Sequence, residues 1–339
     1  MNLVAAATGA VERLPLPDSI IRAGIALLVG QTGRRLRRAS PAAELAFAAA
    51  MASRPIAIHP DAANTQHYEL PPAFFQHVLG PRRKYSCCLY QDGDDLAAAE
   101  ERALTETADH AALADGQRIL ELGCGWGALS LWMAEHYPAA DIVAVSNSQA
   151  QHAFIEAEAQ RRGLSRLHVV TADMNDFIPE QRYDRVVSVE MWEHMSNWQA
   201  LLRRVHGSLV PDGRLFLHVF SHASMPYAFD HADKADWIAQ HFFTGGIMPS
   251  HGLIHRLESQ FVVEAEWRWS GAHYRRTAND WLANFDRNSV PIEAVLRDVY
   301  GGDTPLWKRR WRLFFLATAG LFGAASGDWG VSHYRLRPL

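Results

Sequence analysis

The pattern of apolar and polar positions divides the chain near residue 118. Through about residue 60, apolar side chains recur at helical spacing in Ala- and Arg-rich sequence, as at Ile20, Ile21, Ile25, Leu27 and Leu28, which predicts helices. From Arg118 the period changes. Short β-rich runs end abruptly: RILEL (118–122) before a glycine-rich turn, DIVAV (141–145) before a helix closing on Gly163, RLHVVTA (166–172) before Asp173, RVVSVE (185–190), and RLFLHVF (214–220) after the turn PDG. Strands alternating with helices predict a doubly wound parallel sheet. Beyond Phe220 the alternation stops. FVVEAEWRW (261–269) and GVSHYRLR (330–337) read as further strands, with helices around WLANF and WKRRWRLFFLATAGLF between them. The longest apolar run, Leu313–Ala325, is shorter than the roughly 20 residues that span a bilayer.

Ligands of such sheets bind beyond the carboxyl ends of the strands. The residues at those ends are Glu121, Asn147, Asp173, Glu190 and His218. ELGCGWGALSLW (121–132) places a glycine-rich turn between a strand and a helix, with Gly123, Gly125 and Gly127 free to turn tightly and approach a ligand. A dinucleotide fold asks for GxGxxG and an acidic residue about 20 positions later. This loop is GxGxG, and the second strand ends on Ser146 and Asn147. An acid just before the loop, Glu121, suits a cationic cofactor, and S-adenosylmethionine carries both an ammonium and a sulfonium.

The fourth strand runs into SVEMWEHMSNW (188–198), which holds Glu190, Glu193 and His194 within five residues. If 190–194 forms a helical turn, the i, i+3, i+4 spacing puts all three on one face. Methyl transfer to an amine gives them a task. An alkylamine resembling Lys has a pKa near 10.4, so close to neutral pH only on the order of one molecule in a thousand carries a lone pair. That cost is roughly 4 kcal/mol, and a carboxylate or imidazole placed to take the proton addresses it. Glu193 and His194 are the expected proton acceptors, with Glu190 and Glu69 orienting the amine. The plainer reading is a helix N-terminus, where acids are favoured by the macrodipole.

Composition narrows the class. The chain has 339 residues, 48% hydrophobic, and a formal net charge of −4, so nothing in it attracts nucleic acid or an anionic membrane globally. Three cysteines form neither a disulfide framework nor paired CxxC spacing, so no metal is expected. The first residues, MNLVAAATGAVERL, lack a basic leader and a long apolar core, and a cytoplasmic location is expected. One basic cluster, GRRLRRAS (33–40), reads either as a solvated helix end or as a weak contact with phosphates or a membrane surface.

ILELGCGWG, YSCCLY (85–90) and SVEMWEHM together resemble the cyclopropane-fatty-acid synthase family of methyltransferases. The likeness is nearer to the coclaurine N-methyltransferase branch, through QHYELPPAFFQHVLGPRRKYSCCLY (66–90), FFTGGIMPS (242–250), GAHYRRT (271–277) and WRLFFLATAGLFG (311–323). The resemblance implies an α/β class I S-adenosylmethionine-dependent methyltransferase, with a Rossmann-like, seven-stranded, mostly parallel sheet and an α-helical cap. Residues 1–100 would supply an N-terminal cap segment and part of the cofactor site, and 101–339 the core with cap insertions at about 221–260 and 275–325. Carried over by position, Tyr85 and Ser86 would touch the methionine end of the cofactor. Glu121, Gly123, Gly125 and Gly127 would form its loop, Asn147 and Gln151 would meet the ribose, and Asp173 and Met174 would flank the adenine. The branch also implies a small, benzylisoquinoline-like or other alkyl amine as acceptor. Homodimer formation is a further expectation.

The lipid branch supplies a rival. There an alkene attacks the activated methyl group, and a bound bicarbonate takes the proton. The positions matching its bicarbonate ligands are Cys87, Glu193, His218 and Tyr274. That branch commonly has a small residue where this chain has Glu190, and a third acid beside an alkene would be costly to bury with no task. Trp267, Trp281, Phe285 and Trp329 are candidates for a cation–π wall around an amine, or for the core of the cap. A cofactor-binding protein without catalysis is a third reading, opposed by the intact acid–imidazole cluster.

Overall fold

Buried, β-branched runs punctuated by glycine and turn residues build the centre of the molecule. The computed structural model describes residues 3–14, 16–58 and 70–339, with residues 3–7 as backbone only. Nine strands are present among them: β1 Arg118–Leu122, β2 Asp141–Ser146, β3 Leu167–Thr171, β4 Tyr183–Val189, β5 Leu209–His222, β6 Tyr227–Ala228, β7 Ile247–Met248, β8 Phe261–Ser270 and β9 Trp329–Pro338. The helices are α1 Leu3–Arg13, α2 Asp18–Arg37, α3 Pro41–Met51, α4 Pro72–Val78, α5 Leu96–His110, α6 Ala128–His136, α7 Gln149–Arg162, α8 Trp198–Gly207, α9 Trp237–His241, α10 Gly271–Arg287, α11 Ser289–Tyr300 and α12 Thr304–Phe322.

Seven strands form one sheet in the order β3-β2-β1-β4-β5-β9-β8. The first five are parallel, while β9 runs antiparallel to both β5 and β8. The inner parallel strands are largely buried, which is why they read as apolar runs rather than alternating ones, while the edge strand β3 buries only Leu167 fully. The mostly parallel α/β sheet expected from the sequence is the one observed. One boundary differs: β5 begins at Leu209, before PDG. Its pairing with β4 jumps from Tyr183↔Leu209 to Arg185↔Arg214, so a bulge absorbs the turn residues inside the strand.

Local capping fixes the helices that border the sheet. Ser148 accepts a hydrogen bond from the Gln151 backbone at the start of α7, and Gly163 ends that helix at φ 72°. Asp95 caps α5 and Ser270 caps α10 in the same way. On one side of the sheet, α2, α4, α10, α11 and α12 assemble around an aromatic cluster, in which the Phe74 and Trp311 rings lie 4.7 Å apart and Phe242 stacks on Phe314 at 4.6 Å. Arg312 of α12 pins this layer by pairing with Asp286 of α10 at 2.9 Å and with Asp18 of α2. No helix among the described residues is long and apolar enough to cross a membrane. Arg34, Arg35, Arg37 and Arg38 are exposed at the end of α2, where the helix macrodipole favours cations, and Arg37 pairs with Asp328 at 2.5 Å.

Candidate active site

Beyond the carboxyl ends of β1, β2 and β4 lies a cavity enclosing about 1160 Å³ of empty space, counting its open mouth. Its walls include Glu121, Gly123 and Gly125 from the β1–α6 turn, Asn147 and Gln151 from the β2–α7 junction, and Asp173 and Met174 after β3. Tyr85 and Ser86 face it from the segment before α5, and Glu190 and His194 from the loop after β4. Gly127 is not on the wall; it forms the N-cap of α6 at φ 78°. Two glycines explain the turn. At Gly123 (φ 79°) a Cβ would fall 2.5 Å from the Met191 side chain, so the backbone must pass bare there. At Gly125 (φ 52°) a Cβ would meet nothing within 4 Å: the left-handed backbone, not crowding, requires glycine, and the turn opens onto the cavity.

These residues fit S-adenosylmethionine. The Gln151 side chain is buried, its Oε1 held by Ser146 Oγ at 2.7 Å, while its Nε2 has no protein partner and is a donor available to a ribose. Glu121 is 2% exposed, and its carboxyl is hydrogen-bonded by Ser130. Burial pushes its pKa up to about 7, against the opposing Ser130 hydrogen bond. A cation beside it would remove that penalty.

The acid cluster takes a different shape from the helical face the spacing suggests. Only Trp192–His194 is helical, a single 3-10 turn. Glu190 precedes it with φ 48°, a left-handed backbone rarely adopted by a residue with a side chain. That twist turns the Glu190 carboxylate inward. Its Oε1 accepts from the Cys87 backbone N–H at 2.9 Å and lies 3.2 Å from His218 Nε2, and its Oε2 accepts from the Tyr274 hydroxyl at 2.6 Å. Burial raises the Glu190 pKa, opposed by Lys84, the Cys87 N–H and Tyr274. The Tyr274 phenol is driven far above its usual range by burial and by Glu190, so it remains a donor.

Glu193 lies behind this group, fully buried and off the cavity wall. Its Oε1 accepts from the Phe220 N–H at 2.6 Å, and its Oε2 has no protein partner. Burial, then the neighbouring Glu190, raises its pKa well above the carboxylate range, which favours its neutral form. His194 stacks on Phe243 at 4.5 Å, and burial lowers its pKa to about 4 against the pull of Glu190; it is a neutral imidazole at the wall. Cys87, His218 and Tyr274 stand behind Glu190 rather than on the wall. Trp329 is buried in β9, its indole N–H on the Tyr227 hydroxyl at 3.2 Å. Trp281 sits beside Tyr85 at 5.5 Å, Phe285 packs on Phe74 and Phe315, and Trp267 stacks on His110, away from the cavity. Glu69 lies outside the described residues.

Three residues that adjoin the site escaped the sequence reading. Lys84 is buried, and its Nζ bonds Ser86 Oγ and the Cys87 carbonyl at 2.6 Å each, holding the segment that presents the Cys87 N–H. Its only signal was being a Lys in an Arg-rich chain. His333 and His110 continue from His218 by contacts of 2.8 Å, far apart in sequence.

The sequence model of the family described as mycolic acid cyclopropane synthetase matches residues 58–328. The (S)-coclaurine N-methyltransferase of Thalictrum flavum subsp. glaucum is 33% identical over 285 residues, 82% of this chain and 79% of that protein. The cyclopropane-fatty-acyl-phospholipid synthase of Escherichia coli (strain K12) is 29% identical over 262 residues, 76% of this chain and 64% of that protein. Among solved structures, coclaurine N-methyltransferase bound to N-methylheliamine and S-adenosylhomocysteine superposes with a TM-score of 0.93 at 29% identity, over 97% of this chain and 98% of that one. A cyclopropane synthase from Mycobacterium tuberculosis, at 23% identity and a TM-score of 0.72 over 83% of this chain and 98% of that one, shares the fold.

Proposed function

Because the chain belongs to the mycolic acid cyclopropane synthetase family and is an S-adenosylmethionine-dependent methyltransferase, we propose that its acceptor is a small alkyl amine, N-methylated at a site formed by Glu190 and His194. The observation that carries this reading is the setting of the Glu190 carboxylate. Cys87, His218 and Tyr274, three of the four positions that match a bicarbonate site in the lipid branch, converge on it, and the fourth, Glu193, is buried behind them, near enough for the Glu190 charge to raise its pKa. The side chain therefore fills the place of a bound anion. A carboxylate offers about four lone-pair sites. The three donors use three of them, and one on Oε2 is left for an N–H of the acceptor.

Bound in the cavity, S-adenosylmethionine supplies a methyl group whose C–S bonding pair leaves with sulfur. Tyr85, Ser86, Glu121, Gly123, Gly125, Asn147, Gln151, Asp173 and Met174 would hold it. The chain's own groups do the rest. Glu190 attracts the ammonium form of the acceptor and takes its proton, its pKa lifted by burial toward that task. His194, neutral and at the wall, accepts or steers the second N–H. Glu193, favoured in its neutral form behind them, keeps a second negative charge away from Glu190. Positioning the lone pair toward the methyl group contributes up to about 7–11 kcal/mol in well-oriented reactions.

The test measures S-adenosylhomocysteine release with a tetrahydroisoquinoline amine and, separately, with vesicles of unsaturated phospholipid. Expected is turnover of the amine that rises with pH as free base appears. Glu190→Gly, which suits the left-handed backbone, should lose about 10²–10⁴-fold in rate, and added formate or bicarbonate should restore part of it. Turnover of lipid alone, dependent on bicarbonate in the wild type, overturns the reading.

A further inference from the structure

An unbroken line of ionisable side chains runs outward from Glu190. His218 Nε2 lies 3.2 Å from Glu190 Oε1, and His218 Nδ1 lies 2.8 Å from Nε2 of His333. His333 Nδ1 lies 2.8 Å from Nδ1 of His110, whose Nε2 is 3.2 Å from Glu106 Oε1. All six ring nitrogens are engaged along the line. It starts at a carboxylate whose side chain is 7% exposed and ends at one that is 41% exposed.

The fold produces this line. His218 and His333 are register partners on the antiparallel β5/β9 pair, so their rings share a face. His110 closes α5, and Glu106 stands one turn earlier on the same side of that helix. Rings pack around the middle: Phe216 at 5.1 Å and Trp269 at 4.4 Å from His333, and Trp267 stacked on His110 at 3.8 Å.

We propose that this line is a proton exit, which carries the proton released by the acceptor at Glu190 through His218, His333 and His110 to Glu106 and solvent. The inference rests on the amine reading above. An alkylammonium ion that gains a methyl group loses one N–H proton per turnover. Between turnovers His218 carries its proton on Nε2, toward Glu190; when the rings take the outward tautomer, with protons on Nδ1 of His218 and His333 and on Nε2 of His110, Glu190 takes the acceptor's proton and yields a proton to Nε2 of His218. His218 releases its Nδ1 proton to Nε2 of His333. His333 releases its Nδ1 proton to His110, and His110 releases its Nε2 proton to Glu106 or water. One proton enters, one leaves, and Glu190 is again an anion. Each ring ends in the opposite tautomer and returns before the next proton passes.

Burial lowers the pKa values of His218 and His333 far below the usual range, and that of His110 as well, which keeps the rings neutral between transfers. Glu190 and Lys84 face the inner end. Glu106 and Asp109 of α5 and Arg335 of β9 face the outer end. These relay residues touch neither acceptor nor cofactor and act through Glu190.

The experiment compares wild type, His333→Asn and His110→Ala on tetrahydroisoquinoline, by rapid quench and at steady state, with melting temperatures recorded. Glu190 starts ionised, so each variant should release its first equivalent of S-adenosylhomocysteine at the wild-type rate. Steady-state turnover should then fall by about tenfold or more, with KM for the amine unchanged. Added imidazole should restore the steady-state rate of His110→Ala, whose vacancy opens near the surface. That variant also decides the matter where His333→Asn fails to fold. Steady-state rates within about twofold of wild type overturn the relay and leave the amine reading standing. A first turnover lost together with the steady state, without imidazole rescue, assigns the histidines to structure and also overturns it. No turnover of the amine by the wild type overturns the functional reading and the relay with it.

Discussion

Glu121→Gln isolates the electrostatic cost of the cofactor site. The carboxyl is 2% exposed, and burial lifts its pKa to about 7 from 4.5. At ~1.36 kcal/mol per pH unit, the gap of about 2.5 units makes ionised Glu121 cost the ligand-free fold about 3 kcal/mol. The folded chain holds this proton more tightly than the unfolded one. The stability contributed by the protonated form is therefore complete below pH 4.5 and is lost as pH rises through about 7. Gln keeps an oxygen for Ser130 and carries no charge. With an unfolding entropy of ~2.1 cal/mol/K per residue over 339 residues, 3 kcal/mol corresponds to about 4 °C. Thermal melting of the ligand-free proteins should thus show the variant level with wild type near pH 4 and about 4 °C above it at pH 8. Saturating S-adenosylhomocysteine at pH 8 should raise wild type strongly and the variant little, because the ammonium of the ligand loses its counter-charge. Melting curves that stay parallel across the pH range, with or without ligand, would refute the reasoning.

Two further outcomes separate packing from binding and surface ion pairs from core. Gly123→Ala should destabilise by ~2–4 kcal/mol, from a left-handed backbone and a Cβ driven into Met191, whereas Gly125→Ala should melt nearer to wild type and lose affinity for S-adenosylhomocysteine in calorimetry. Glu12 fastens α1 to α9 and α12: burial pulls its pKa up, but hydrogen bonds from His241, Arg310 and Trp237 outweigh this and hold it at about 2. Its contribution is present above pH 4.5 and lost as pH falls through about 2, so Glu12→Gln should lower the melting temperature at neutral pH and converge with wild type in strong acid.

The sheet was legible because its inner parallel strands are largely buried and stop at glycine or at a polar strand end. That rule placed Glu121, Asn147, Asp173, Glu190 and His218 at the cavity; the first four line it, and His218 stands behind Glu190. The bulge in β5 was not legible: PDG is strong turn sequence, and only pairing with β4 keeps it in the strand. Nor was the geometry of the acid cluster. Spacing of 190, 193 and 194 implies one helical face only if Glu190 is helical, and its φ of 48° breaks that premise, leaving Glu193 behind the wall. The histidine line was out of reach for another reason. His218 and His333 are 115 residues apart and His110 and His333 223 apart, and their meeting depends on the β5/β9 register and on where α5 ends.

The backbone at Glu190 ties these features together. A left-handed conformation costs a residue with a side chain roughly 1–2 kcal/mol, and glycine would avoid the cost. Glutamate there brings a carboxylate into contact with a backbone N–H, a phenol and an imidazole, and hydrogen bonds to a charged group return about 1.5–3 kcal/mol each. The strain is thus offset only by a side chain that is long, ionisable and aimed inward. An alkene acceptor gives such a group nothing to hold. An ammonium acceptor gives it a charge to attract, a proton to take and, through His218, a direction in which to send that proton. On this reasoning the acceptor class turns on the residue at 190 more than on the aromatic cap, whose rings would serve a lipid and an amine equally well.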